Sequence, residues 1–276
     1  MPKKGFFTEN LHSDREDSPE HGVLHKAIHP SVAYGYEDSR HLAEVFQGKR
    51  DGYNYGRQLN PTVTALQKRI TKMESGKASV AFATGMAAIT STMLALLKSG
   101  DHLIASAFLF GNTASFFTTL ERFGIEVSFV DATDVSNVAA AVKDNTRVVF
   151  VETIANPATQ IADLEAIGEL CGTYSILYVV DNTMTSPHLF LPRSVNAGLS
   201  VNALPKYIGG HGNALGGSFV HQRAQPGVGP GRKIAETLGS RINGSLKGAD
   251  GGFVAVARVD HHRVGIIHKG VPVFWL

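Results

Sequence analysis

The sequence predicts an α/β domain built on a mostly parallel sheet. Three observations carry this reading: short strands that are apolar throughout, helical segments alternating with them, and chemically loaded residues where several strands stop. A strand that is apolar at every position needs cover on both faces. Alternating helices supply that cover through βαβ crossovers.

The regular pattern begins after Asn60–Thr62, with "TVTALQKRITKMES" at helical apolar spacing, closed by Gly76. "ASVAFAT" is a short strand, and "GMAAITSTMLALLKSG" a helix that opens on Gly85 and closes at Gly100. "HLIAS" then reads as a strand, "NTASFFTTLERFG" as a helix and "IEVSFVD" as a strand. "VSNVAAAVK" is helical, "RVVFVE" a strand, "ADLEAIGELCG" a helix and "ILYVVD" a strand. Residues 1–53 are polar, rich in His and Asp and weakly patterned, and predict an extended N-terminal arm. Residues 54–220 form the large domain, and 221–276 are a basic, Gly-rich tail of different texture.

The chain has 276 residues, 43% hydrophobic and 18% charged, enough for one large domain or two small ones with a substantial core. A net charge of +2 gives no support to a nucleic-acid or membrane-surface partner. One cysteine, Cys171, excludes an internal disulfide framework and suits a reducing compartment. The N-terminal stretch lacks the apolar core of a signal peptide, and no run approaches the roughly 18 apolar residues of a membrane span. The expectation is a soluble, cytoplasmic protein.

In sheets of this kind ligands collect at the carboxyl ends of the strands. Thr84 before Gly85, Glu152 and Asp181 all stand at such ends. Asp181 suits either an N-cap or turn, or a carboxylate that meets a cationic ring nitrogen or a metal. Gly85, at a strand-to-helix junction, lets backbone approach a ligand, and the free N–H groups beside it suit a phosphate, although glycine is ordinary at such turns. Phe108 and Phe110 are core residues or a platform for a ring. His211 and the pair His261–His262 fall into no metal-ligand spacing, so no metal is expected. Lys206 sits in "VNALPKYIGGHGNALGG", behind an apolar run and a proline and before a run of glycines. It is either a loop lysine or one held to react. Lysine, strand-end acid and phosphate-ready N–H groups together fit pyridoxal phosphate (PLP), with Lys206 as the Schiff-base lysine and Asp181 on the pyridine nitrogen.

Six stretches in one order, "YNYGRQLNPT", "FATGMAAI", "FLFGNT", "VETIANP", "VVDNTMTSP" and "KYIGGHGNALGG", resemble the Cys/Met-metabolism family of PLP-dependent enzymes across roughly residues 20–220. "FLFGNT" with the lysine motif most resembles the O-acylhomoserine sulfhydrylase branch. The resemblance implies fold type I, an aspartate-aminotransferase-like three-layer α/β domain, with the small C-terminal domain largely missing. It also implies roles. Lys206 binds the cofactor and moves the Cα proton, and Asp181 keeps the pyridine nitrogen protonated. Gly85 and Met86 offer backbone N–H groups to the phosphate. Phe110 matches a stacking aromatic that is often tyrosine in the family. Asn156 contacts the ring oxygen, with Glu152 and Thr183 around it. Tyr55 and Arg57 match a pair that reaches the phosphate of a neighbouring subunit, implying a homodimer or homotetramer. The implied reaction is γ-replacement, in which an O-acylhomoserine exchanges its acyloxy group for a thiol or sulfide. C–S cleavage by a γ- or β-lyase is the nearest alternative, and a truncated, catalytically silent member that at most binds PLP is another.

Two positions depart from that pattern. The family commonly carries Ser-x-Thr-Lys, where both hydroxyls serve the phosphate, whereas Ala203 and Pro205 stand here. Hydrogen bonds to charged groups contribute about 1.5–3 kcal/mol each, so reduced PLP occupancy is expected. Beyond Val220 the family pattern gives way to a stretch with 8 Lys+Arg against 3 Asp+Glu, counted from His221 to Leu276. A reading-frame shift after Val220 accounts for such an ending, and a divergent short C-terminal domain is the alternative. No arginine of this stretch is assigned to a substrate carboxylate.

Overall fold

A computed structural model describes residues 5–12 and 20–222. The strands are β1 (Ala78–Phe82), β2 (His102–Ser106), β3 (Glu126–Val130), β4 (Thr146–Glu152), β5 (Leu177–Asp181), β6 (Leu199–Ala203) and β7 (Gly217–His221). They form one sheet in the order β1-β7-β6-β5-β4-β2-β3. Strands β2 through β6 pair in parallel, and β7 runs antiparallel to both β6 and β1. Reversing twice across β7 returns β1 to the common direction. The carboxyl ends of β1, β6, β5, β4 and β2 therefore share one edge of the sheet, and β7 begins there.

The helices follow the sequence pattern closely: α3 (Pro61–Met73), α4 (Gly85–Leu96), α5 (Gly111–Leu120), α6 (Val135–Ala140) and α7 (Leu164–Tyr174). Helix α3 starts one residue before the expected "TVTALQ" because Asn60 caps it, accepting from the N–H groups of Thr62 and Val63, with Pro61 in the first turn. Helix α4 stops at Leu96 because Leu97 is extended and Gly100 adopts φ 88°. Two helices form where residues 1–53 showed only weak patterning: α1 (Phe6–His12) and α2 (Ser39–Phe46), the latter capped by Asp38.

Strand alternation sends successive side chains to opposite faces. On one face Val148, Phe150, Leu177, Val179, Leu199, Val201 and Phe219 bury against Ala88 and Met93 of α4 and Phe117 and Leu120 of α5. On the other, Ile104, Val149, Val151, Tyr178 and Val180 bury against Val138 of α6 and Ile167 and Cys171 of α7. Burial pushes the Cys171 thiol up to about 12, so it packs as a small apolar group. Helix α3 covers the β7 end of this second face through Ile70, which meets Val220 and Leu204. This is the helix–sheet–helix arrangement expected of the sequence.

Strands β6 and β7 were absent from the sequence-based assignment, which ended at "ILYVVD". The boundary drawn after Val220 falls inside β7, since His221 pairs with both Ala78 and Leu199. Gln222 is also buried. The remainder of the expected tail, with His261–His262, lies outside the described residues. Among the described residues no helix is long and apolar enough to cross a membrane.

Candidate active site

Two acids meet at the shared carboxyl edge. Glu152 and Asp181 end β4 and β5 and are paired in register. By alternation both point to the α4–α5 side, where Phe150 and Val179 lie. Asp181 is 9% exposed and accepts from the N–H of Thr183 at 2.9 Å. Burial pushes its carboxyl above the ordinary range, and the Thr183 hydroxyl and N–H pull it partly back. Glu152 accepts from the Phe110 N–H at 2.8 Å. Burial first, and the neighbouring Asp181 second, push Glu152 up to about 7 against the N–H groups of Phe110 and Asn156.

The α4 N-terminus lies against the same edge. Thr84 caps the helix by accepting from the Ala87 N–H at 3.0 Å. Gly85 and Met86 then hold N–H groups that the helix does not use. Close packing enforces glycine here. A Cβ on Gly85 would stand 2.7 Å from the Ala203 Cβ, and one on Gly217 would stand 2.2 Å from the Thr84 carbonyl oxygen. The start of α4 is thus seated on the end of β6 and the start of β7.

Lys206 leaves from that same end. Ala203 closes β6, and residues 204–209 form the turn that carries Lys206, which is exposed. The turn is held by Lys206 N–H to Ala203 O at 3.3 Å, Gly209 N–H to Leu204 O at 2.7 Å and Gly210 N–H to Lys206 O at 2.7 Å. Gly210 and Gly212 adopt φ 74° and 64°, angles that glycine accepts without strain. Thr183 links this end to the acid: its Oγ1 accepts from the Ala203 N–H at 2.8 Å, and its hydroxyl and N–H serve Asp181.

Asn156 is exposed, in the excursion after β4 that the Ile154–Ile161 bridge closes. Phe110 is 45% exposed and caps α5 through its backbone, so the core alternative for it does not hold. Its buried neighbour Leu109 takes the core position instead. Phe108, two residues before it, is half-buried. Tyr55 and Arg57 contact each other, with the guanidinium 5.2 Å from the ring centroid, and Tyr55 bridges Ala33 of the arm. The edge therefore gathers Gly85, Met86, Phe110, Glu152, Asp181, Thr183, Ala203 and Lys206, with Tyr55 and Arg57 on a separate segment.

The family model of Cys/Met metabolism PLP-dependent enzymes matches residues 7–245 of this chain, a span that runs past Val220. An L-methionine gamma-lyase of Fusobacterium nucleatum subsp. polymorphum is 40% identical over 220 residues, 79% of this chain and 55% of the relative. An O-acetyl-L-homoserine sulfhydrylase of Corynebacterium glutamicum is 36% identical over 218 residues, 78% of this chain and 50% of the relative. The chain thus spans about half the length of these relatives. Among solved structures, a Campylobacter jejuni protein assigned as an O-acetylhomoserine (thiol)-lyase carries N'-pyridoxyl-lysine-5'-monophosphate. It superposes with a TM-score of 0.76 at 30% identity, covering 80% of this chain and 55% of its own. A cystathionine gamma-lyase from Lactobacillus plantarum, complexed with L-serine, gives a TM-score of 0.72 at 29% identity over 84% of this chain and 58% of its own.

Proposed function

The chain belongs to the Cys/Met metabolism PLP-dependent enzyme family, and we propose that its strand-end group binds PLP for γ-replacement on an O-acylhomoserine. The observation that carries this reading is the convergence of Asp181, the α4 N-terminus and the Lys206 turn on one edge of the sheet. The residues fit the cofactor. Asp181 is a buried acid with spare acceptor capacity, a costly arrangement that a cationic ring nitrogen relieves. Gly85 and Met86 present N–H groups at a helix N-terminus, which suits a phosphate.

When bound, PLP supplies an electron sink for the carbanion left by Cα deprotonation. The chain's own residues do the rest. Asp181 holds a proton on the ring nitrogen by ionic pairing, and Thr183 orients Asp181. Lys206 Nζ would hold the cofactor and take the Cα proton; its exposed turn gives it room to move. Phe110 offers a half-exposed face to the ring. Asn156 serves the ring oxygen, and Glu152 fixes the start of α5 through the Phe110 N–H. For γ-replacement a second proton would leave Cβ, its electron pair would expel the acyloxy group from Cγ as a carboxylate, and sulfide or a thiol would add at Cγ as the Cβ and Cα protons return. Tyr55 and Arg57, exposed and apart from this group, suit a phosphate contact across a homodimer or homotetramer interface.

C–S cleavage is the second reading, favoured by relatives named as γ-lyases at identities comparable with those of the sulfhydrylases. Incubating the PLP-loaded chain with O-acetylhomoserine and sulfide separates the two. Homocysteine formation is expected, and α-keto acid release at equal rate without sulfide would assign the chain to elimination instead.

A further inference from the structure

Behind the sheet lies a buried acid that has no part in the scheme above. Glu74 follows α3 as its C-cap residue and is 0% exposed. Its Oε1 accepts from Asn202 Nδ2 at 2.8 Å and from Asn182 Nδ2 at 3.4 Å, and its Oε2 accepts from Gln222 Nε2 at 3.0 Å. Gln222 also donates to Ser200 Oγ at 2.7 Å. Asn182 is held a second time by donating to the Phe190 carbonyl at 3.0 Å, while its own oxygen accepts from Thr185 at 2.5 Å. Burying a carboxyl this deeply is costly, and the amides and Ser200 offset that cost, opposing the upward push of burial on the group.

What these partners flank matters more than their number. Asn182 directly follows Asp181, and Asn202 directly precedes Ala203 on the strand that leads to Lys206. Asp181 pairs with Val201, whose side chain lies on the α4 face. Alternation turns Asn182 and Asn202 to the α3 face, where Glu74 waits. One carboxyl thus grips the backs of two adjacent strand ends whose fronts hold Asp181 and the Lys206 turn. On the front side the same two ends are joined by Thr183, which accepts from Ala203 and donates to Asp181.

The geometry points to Glu74 as a positioning residue of the cofactor site: by gripping Asn182 and Asn202 from behind the sheet, its carboxyl sets the spacing between Asp181 and Lys206. The inference rests on the PLP reading of Asp181 and Lys206. It makes the last turn of α3 and the end of β7 part of the site's frame, although neither touches the cofactor edge. Gln222, the third amide on the carboxyl, extends that frame to the end of β7.

The test titrates PLP into the full chain, Glu74→Ala and Glu74→Gln, reading PLP affinity, the rate at which Lys206 gains a borohydride-fixed adduct, and inhibition by inorganic phosphate, with thermal melts alongside. Residues joined in one hydrogen-bond network are energetically coupled. Glu74→Ala is therefore expected to weaken PLP about 10-fold and slow the Lys206 adduct, with phosphate affinity unchanged. Glu74→Gln, which keeps the length and one acceptor oxygen, is expected to recover most of the adduct rate. Equal loss of PLP and phosphate binding, or no loss of either in a folded variant, overturns the inference. If Glu74→Ala fails to fold, Asn202→Ala takes its place, and unchanged PLP affinity and adduct rate there are decisive against it. Absence of a Lys206 adduct in the parent chain defeats the PLP reading itself, and this inference falls with it. A normal parent with unaltered variants defeats only the role of Glu74.

Discussion

Asp181 and Glu74 are both buried carboxyl groups, near one another in the sheet's order but on opposite faces, and they are served differently. Glu74 accepts from three side-chain amides drawn from the residue after β5, from β6 and from the residue after β7. The Asp181 carboxyl accepts from Thr183 alone among the described residues. Burial raises both groups, but only at Glu74 does the fold spend nearly all the acceptor capacity. At Asp181 lone pairs are left that no described residue fills. The contrast supports the proposed division between an acid that builds the frame and an acid that meets a ligand, and neither burial nor a raised pKa alone makes that distinction.

The largest expected effect breaks the contrast at its ligand-facing side. Removing one partner of a buried, hydrogen-bonded charge pair costs about 2–5 kcal/mol, so Asp181→Ala is expected to weaken PLP about 30-fold or more while the melting temperature changes little. A titration followed by the cofactor's absorbance checks this; equal loss of fold and affinity would make Asp181 a frame residue like Glu74. Next comes a gain. Ala203→Ser with Pro205→Thr supplies two hydroxyls beside the α4 N-terminus, and PLP is expected to bind about 10-fold tighter by the same titration. Third, Gly217→Ala drives a Cβ against the Thr84 carbonyl oxygen and the Gly85 Cα. Such overpacking costs about 1–3 kcal/mol, read as a lower midpoint in urea, and tilts the α4 start away from β6.

The last expected effect is a pH dependence at Glu152. Below about 4.5 the group is protonated in both the folded and the unfolded chain and contributes no difference. As pH rises toward about 7 the folded chain keeps a proton that the unfolded chain releases, so stability falls across that window. Glu152→Gln removes this component. Urea midpoints of variant relative to parent are expected to improve from pH 4.5 to 7 and then level off, and a flat difference would contradict the burial of Glu152 as described.

Much of the ligand-facing side was legible in the sequence. Apolar strands that stop at Glu152 and Asp181, and a glycine opening a helix at Gly85, are local signals, and the shared direction of the strands brings them together. The turn at Lys206 was legible from the proline and glycines around it. The frame behind it was not. "MESG" reads as an ordinary helix end, and the three amides that serve Glu74 lie 108, 128 and 148 residues away. Strand β7 was equally hidden, because "GSFVH" is short, follows a glycine-rich stretch and owes its place to β1 and β6 on either side. The choice between core and platform for Phe110 stayed open for a related reason: its backbone answers to Glu152, 42 residues away, and that contact helps decide which of "FLF" turns inward.

Lys206, in the turn that follows β6, is proposed as the residue that takes the cofactor. The direct measurement is borohydride reduction of the purified chain after incubation with PLP, followed by peptide mass mapping. A single pyridoxyl adduct on the peptide containing Lys206, absent in Lys206→Ala, is the predicted result. An adduct spread over surface lysines and undiminished in Lys206→Ala would contradict it.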